Sequence, residues 1–183
     1  IRFTVPEEED PGYFVGRVEA NDPDEGKNGR VYYYIVEGND GRWFSVDKTY
    51  GNIYTKKKLD REERDQYTLS IKTTNNPDFV CDGSTCDIEM TTDSDTDPSY
   101  VKVQIFIDDI NDNLPTFEND VFYVGIPFDA KVGDLILDAE AHDPDITGNG
   151  DLSYSIRSSN LYRAGNTVSS GSLVPSPFKM EEN

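Results

Sequence analysis

The chain has 183 residues and carries 36 Asp and Glu against 17 Lys and Arg, a formal net charge of −19. That balance argues against nucleic acid or an anionic membrane surface as a partner, since both call for a basic face, and it is compatible with binding many cations. Its 11 Tyr and 9 Phe supply material for a β core although only 35% of residues are hydrophobic, and no stretch approaches the ~18 apolar residues of a membrane span.

Residues 3–5 alternate briefly and stop at Pro6, which suits a short edge strand. Pro11-Gly12 marks a turn, and residues 13–19 read as a strand with Phe14, Gly16 and Val18 on one side. Residues 21–29 are turn formers throughout. Residues 31–36, aromatic and β-branched, read as a central strand. Two short strands at 43–46 and 52–55 flank Tyr50-Gly51, residues 67–73 alternate cleanly, and residues 101–107 close the set. Seven short strands with turns between them and no helical period point to an antiparallel Greek-key sandwich.

Residues 75–99 do not fit a minimal sandwich, because about 25 residues without periodicity are unusual inside a compact domain. They contain the only cysteines, Cys81 and Cys86. A zinc site would need more ligands, and the lone His142 is far along the chain. A small disulfide-closed loop is the better reading, and it implies an oxidising compartment. Asp93, Asp95 and Asp97 alternate like the start of an EF-hand loop. Pro98 and Gln104 stand where that loop needs glycine and a bidentate glutamate, so the segment reads as a solvated acidic tip, with a local hairpin at the disulfide.

The run Asp108-Asp109-Ile110-Asn111-Asp112-Asn113 follows the last strand directly and leads into Leu114-Pro115. Crowded acids and amides have no core to face and favour turns, and Pro115 keeps Leu114 extended. A strand that enters crowded oxygen donors and then a stiff exit reads as an interdomain linker that binds a hard cation, calcium for preference. After it the pattern begins again, with strands expected at 121–124, 135–141 and 152–156. Ala20-Asn21-Asp22-Pro23-Asp24 through Asn28-Gly29 aligns with Ala141-His142-Asp143-Pro144-Asp145 through Asn149-Gly150 at an offset of 121 residues. The chain is an internal repeat, and the second copy, which lacks counterparts of the last strands of the first, reads as incomplete.

The linker Asp109-Ile110-Asn111-Asp112-Asn113-Leu114-Pro115-Thr116-Phe117 resembles the inter-repeat linker of the cadherin family, D-x-N-D-N-x-P-x-F. Val5-Pro6-Glu7 and Leu59-Asp60-Arg61-Glu62 resemble that family's V-P-E and L-D-R-E motifs, and Asp143-Pro144-Asp145 supplies its Asp-x-Asp, all in the family's order. The resemblance implies an all-β fold of tandem seven-stranded Greek-key, immunoglobulin-like sandwiches. The repeats would span 1–108 and 117–183, joined by a calcium-binding linker at 109–116. It implies about three Ca²⁺ ions. Glu7, Glu62 and Asp112 would bridge the two nearer the first copy, with Asp60 on the outermost. Asp109 and the Ile110 carbonyl would hold the middle ion, and the Asn111 side chain and Asn113 carbonyl the third. Asp143, Asp145 and the Asn149 carbonyl would complete the set from the second copy.

The function implied is calcium-dependent cell adhesion by an ectodomain on the extracellular side of the plasma membrane. The partner would be another cadherin, in homophilic or heterophilic contact, or another extracellular protein. The alternative is a calcium-stabilised receptor or spacer module. An enzyme is not supported, since the single His142 adjoins a presumed ligand and no nucleophile elbow or phosphate loop is present. Departures from the pattern matter too. No tryptophan stands near residue 1, and Trp43 reads as a core aromatic, so strand-swap adhesion is not expected. Phe128 follows Pro127 where the first copy has Glu7, which predicts a calcium-poor linker after the second copy. Asn75 stands where the family usually has Asp, which would weaken a site shared with any preceding repeat.

Overall fold

A computed structural model describes residues 1–81, 86, 96–157, 162–163, 166–167 and 178–179. The chain divides into two compact units, 1–112 and 113–183. The first is a two-sheet sandwich. One sheet contains β1 (Arg2–Pro6), β7 (Tyr100–Asp108), β6 (Gln66–Thr74) and β3 (Tyr32–Glu37), in that order, and the other runs β2 (Phe14–Arg17), β5 (Asn52–Thr55), β4 (Phe44–Val46). All seven expected strands are present. Among the described residues the one departure from antiparallel pairing is β1, which runs parallel to β7 and sets Pro6 beside Asp108.

The core forms where the period-2 alternation of facing strands meets. β7 turns Val103, Ile105 and Ile107 inward and β6 turns Tyr67, Leu69 and Ile71. They meet Phe44 and Ile53 of the opposite sheet together with Val15 and Val18. Trp43 is partly buried against this cluster, in keeping with its reading as a core aromatic. Its ring centroid lies 5.8 Å from that of Tyr67, and Phe44 meets the same tyrosine edge-on at 5.1 Å.

One strand sits elsewhere than its composition suggested. Among the described residues β3 pairs with β6 alone and lies at the edge of its sheet, not at its centre. Its unbroken apolar run is nonetheless buried on both faces, because the start of the long insertion covers it. The Tyr34 hydroxyl donates to the carbonyls of Asn76 and Pro77 at 3.3 and 3.0 Å, and the Phe79 ring stands edge-on to Tyr34 at 4.9 Å. Lys48 donates to the Pro77 carbonyl. The expected disulfide joins Cys81 to Cys86, which also form an isolated antiparallel bridge. Its sulfurs lie 3.3 Å from the Ile35 carbonyl and 3.4 Å from that of Val36. An uncovered edge invites pairing with another chain, and this one is covered by side chains, a disulfide and a loop. The acidic tip with Asp93 and Asp95 lies outside the described residues.

The second unit has two short antiparallel pairs, β8 (Thr116–Phe117) with β9 (Ala141–His142) and β10 (Tyr162–Arg163) with β11 (Asn166–Thr167), and a 3-10 turn at Thr147–Gly150. The strands expected at 121–124, 135–141 and 152–156 do not form ladders, apart from Ala141. Alternation marks which side chains prefer a core, but a strand exists only beside a hydrogen-bonding partner. Among the described residues none forms a backbone ladder with the rest of these segments. Tyr123 and Leu135 accordingly stand 95% and 82% exposed.

The internal repeat is visible atom by atom. In the first unit the Tyr33 hydroxyl accepts the Ala20 N–H at 2.9 Å and Asp22 Oδ1 accepts the Asp24 N–H at 2.9 Å. In the second, Tyr154 accepts from Ala141 at 3.1 Å and Asp143 from Asp145 at 3.1 Å. Gly29 and Gly150 are required by the same close approach: a Cβ would fall 2.0 Å from the Asp24 carbonyl oxygen in one copy and 2.2 Å from that of Asp145 in the other. Tyr33→Phe should therefore release the entry to loop 20–30. The expected cost is about 0.5–1.5 kcal/mol in urea unfolding, the net worth of one hydrogen bond, and an unchanged midpoint would refute the assignment.

Candidate metal centre

In the first unit the site is built where three segments end together. The parallel β1–β7 pairing puts the end of β1 against the exit of β7, and the Glu7 N–H donates to the Asp108 carbonyl at 3.0 Å. Leu59, 1% exposed, anchors the turn after β5 in the core. The next residue shapes that turn: Asp60 Oδ1 accepts the Glu63 N–H and its carbonyl accepts the Arg64 N–H, both at 2.9 Å.

Glu7 is the most constrained acid here, at 2% exposure. Its Oε2 accepts the Arg61 N–H and its Oε1 the Ile110 N–H, each at 2.8 Å. One carboxylate thus ties together the first strand, the turn after β5 and the linker. Arg61 donates through Nε to Asp109 and through Nη2 to Glu62, which fits its reading as a residue that orients carboxylates. Carboxylate oxygens of Glu7, Asp60 and Glu62 lie within 4.8 Å of one another. That is about twice the Ca–O distance of 2.3–2.6 Å, so one hard cation fits between them, and the donors are all oxygen.

The electrostatics point the same way. Burial pushes the Glu62 carboxyl above its ordinary range, and the negative charges of Glu7 and Asp112 add to that against the attraction of Arg61. The charged form of Glu62 is at a disadvantage that a nearby cation would remove. Asp109, its side chain 5% exposed, is held by Arg61. Asn111 and Asp112 are exposed on the linker.

The second unit gathers its own predicted residues. Asp145 is 6% exposed, and its carboxylate accepts from Asn113 Nδ2 at 2.7 Å and, more weakly, from the Asn113 N–H at 3.4 Å. Asp143 is held by its bond to the Asp145 N–H, and Asn149 lies on the 3-10 turn with its N–H on the Ile146 carbonyl at 3.2 Å. The linker residue Asn113 thus packs on the Asp-x-Asp loop through its side chain. Sequence reasoning did not find the hydroxyls of Tyr33 and Tyr154 that hold these loops, although both tyrosines stand at matching positions of the repeat.

A sandwich of seven described strands whose ends carry a carboxylate cluster, in a chain that repeats its Asp-x-Asp loop 121 residues on, defines a class of all-β repeat protein. The Cadherin domain model matches residues 1–106, and the chain belongs to the cadherin family. It is 40% identical over 157 residues to Cadherin-87A of Drosophila melanogaster, which covers 85% of this chain and 8% of that protein. It is 35% identical over 146 residues to Protocadherin Fat 4 of Homo sapiens, 79% of this chain and 3% of that protein. The chain therefore spans under a tenth of the length of these curated relatives. Among solved structures, the Protocadherin GammaB4 extracellular domain matches with a TM-score of 0.65 at 22% identity, over 81% of this chain and 23% of that one. Mouse Cadherin-23 EC22-24 matches with a TM-score of 0.62 at 24% identity, over 81% and 42%. These two likenesses show the fold.

Cadherin ectodomains are adhesion proteins, not enzymes, and members of the family bind Ca²⁺ at their repeat linkers. Ectodomain homologues are extracellular and membrane-anchored, and among the described residues no helix is long and apolar enough to cross a membrane.

Proposed function

We propose that this chain is a calcium-dependent segment of an adhesion ectodomain, in which Ca²⁺ between the repeats stiffens the linker. The observation that carries the reading is the convergence of Glu7, Asp60 and Glu62 at the end of the first sandwich from which the linker leaves. The donor set is Glu7, Asp60, Glu62, Asp109, Asp112 and the Ile110 carbonyl from the first copy and its exit. Asn111, Asn113, Asp143, Asp145 and the Asn149 carbonyl complete it. Repeats at 1–108 and 117–183 flank a linker at 109–116.

Charge balance supports about three ions. The set holds seven carboxylates, and bound calcium would supply roughly six positive charges to offset them. Without it, each close carboxylate pair costs about 4 kcal/mol at ~4 Å and an effective dielectric of ~20, before screening. The chain's own groups offset part of that, since Arg61 sits between Asp109 and Glu62 and two backbone N–H groups hold Glu7. Extracellular modules of this kind bind at ~10⁻⁴–10⁻³ M, which suits calcium outside cells.

Small-angle X-ray scattering of the whole chain, in chelator and across a calcium titration, tests the reading. Saturation in the millimolar range with a narrower distribution of interatomic distances is expected, and a profile indifferent to chelator would refute it. The partner is proposed as a second cadherin. Beads coated with the complete ectodomain should aggregate in calcium and disperse in chelator. Beads that stay dispersed at physiological calcium would favour a receptor or spacer role instead.

A further inference from the structure

The two copies of the Asp-x-Asp loop share their turn geometry, but loop 20–30 has a feature of its own. Asn75, the residue after β6, points its amide nitrogen at Asp22 Oδ2 at 3.0 Å, the Asn28 carbonyl oxygen at 2.7 Å and the Arg30 carbonyl oxygen at 2.9 Å. One carboxylate oxygen and two backbone carbonyls around a common point are the donor types that collect a hard cation. Here an uncharged –NH₂ stands among them, its two protons shared by three acceptors. The loop closes on itself at the same place: the Asp24 N–H caps Asp22, and Gly29 presses against the Asp24 carbonyl.

We propose that the Asn75 side-chain amide is a built-in substitute for a cation, which holds loop 20–30 closed without metal and keeps calcium out of it at millimolar concentration. An ion entering this loop would have to displace all three hydrogen bonds. Turning the amide over to present its oxygen would bring that oxygen against three others. The reward would be small, since the loop's Asp-x-Asp pair supplies two carboxylates against the seven around the linker. Asp22 is already satisfied, because the Asp24 N–H and the Asn75 amide hold its carboxyl below the usual range.

The device is independent of the linker site. The nine residues of β6 begin six positions after Asp60 and end just before Asn75, a span of about 30 Å at ~3.4 Å per residue. The end of the first repeat that carries loop 20–30 thus keeps its form whatever the calcium level. A calcium-dependent joint at one end and a calcium-indifferent loop at the other would give this repeat two unlike ends.

Amide-resolved NMR of the whole chain tests the proposal, because it reads the loop separately from the linker. In the wild type, the amides of Asp22, Asp24 and 28–30 should not move between chelator and about 10 mM calcium, a concentration above the usual range for extracellular modules. Asn75→Asp should place a carboxylate among the three oxygens, and the same amides should then shift with saturable millimolar calcium. Asn75→Ala should speed hydrogen exchange at the Asp24 amide by about tenfold or more, as expected for a locally opened loop, and calcium should not restore protection. Wild-type loop amides that titrate with millimolar calcium would overturn the proposal, and that measurement needs no variant to fold. Wild-type exchange rates in Asn75→Ala would overturn it as well. A linker that failed to bind calcium would leave these readings unchanged, so the two ideas fail separately.

Discussion

Replacing Glu7 with alanine is expected to cost about 2–4 kcal/mol in urea unfolding of the chelated chain, before any calcium effect. Glu7 is 2% exposed, and its two oxygens accept the backbone N–H groups of Arg61 and Ile110. Alanine leaves both donors without that acceptor, and a buried unsatisfied group costs about 1–3 kcal/mol. Partial access of water to the linker side keeps the total below the sum of the maxima. Glu7→Gln separates architecture from charge. Its single side-chain oxygen can serve one N–H, and its amide nitrogen would face the other, so it should fall between wild type and alanine. Were Glu7→Ala to unfold with the wild type in chelator, Glu7 would be a metal ligand and nothing more. The structure makes it the peg that ties residue 110 to the first sandwich without metal.

The sandwich was legible because its strands carry their own punctuation. Val103, Ile105 and Ile107 alternate with the less buried Gln104 and Phe106 and face the core as alternation requires, and Pro6 ends β1 where expected. The place of β3 was not legible. An apolar run buried on both faces reads the same whether a strand or a loop covers it, and the covering residues Asn76, Pro77 and Phe79 belong to a segment with no period of its own. In the second copy, residues 121–124 have the side chains of a strand, but pairing depends on a neighbour that local pattern cannot supply.

At the site, acidic motifs named candidate ligands because charge and spacing survive in one dimension. Glu7 and Asp60 are 53 positions apart, yet the family's V-P-E and L-D-R-E motifs mark both. The family pattern marked Asn75 as a departure from Asp, but not the contacts of its amide, because its three partners lie 45 to 53 positions upstream. The chain folds them together only through the β3–β6 pairing, which sets Tyr32 opposite Thr74.

Neutralising Glu62 should act in opposite directions with and without calcium. In the chelated chain, burial and the charges of Glu7 and Asp112 hold its carboxyl above the ordinary range despite Arg61 beside it. Its negative charge is therefore a net cost to the metal-free fold, and Glu62→Gln should raise the thermal midpoint in chelator. With calcium present the same change removes a charged oxygen from the cluster with Glu7 and Asp60. Calcium affinity should then fall about tenfold or more, which lowers the ligand's contribution to stability by about 1.4 kcal/mol for each factor of ten. The two melting curves should cross as calcium is titrated, the variant above the wild type at low concentration and below it at high. A variant that is less stable under both conditions would mean that the Arg61–Glu62 pair is a structural tie in its own right. A variant more stable under both would mean that Glu62 does not bind the metal. Only a crossing fits a carboxylate that repels its neighbours in chelator and binds calcium when calcium is supplied.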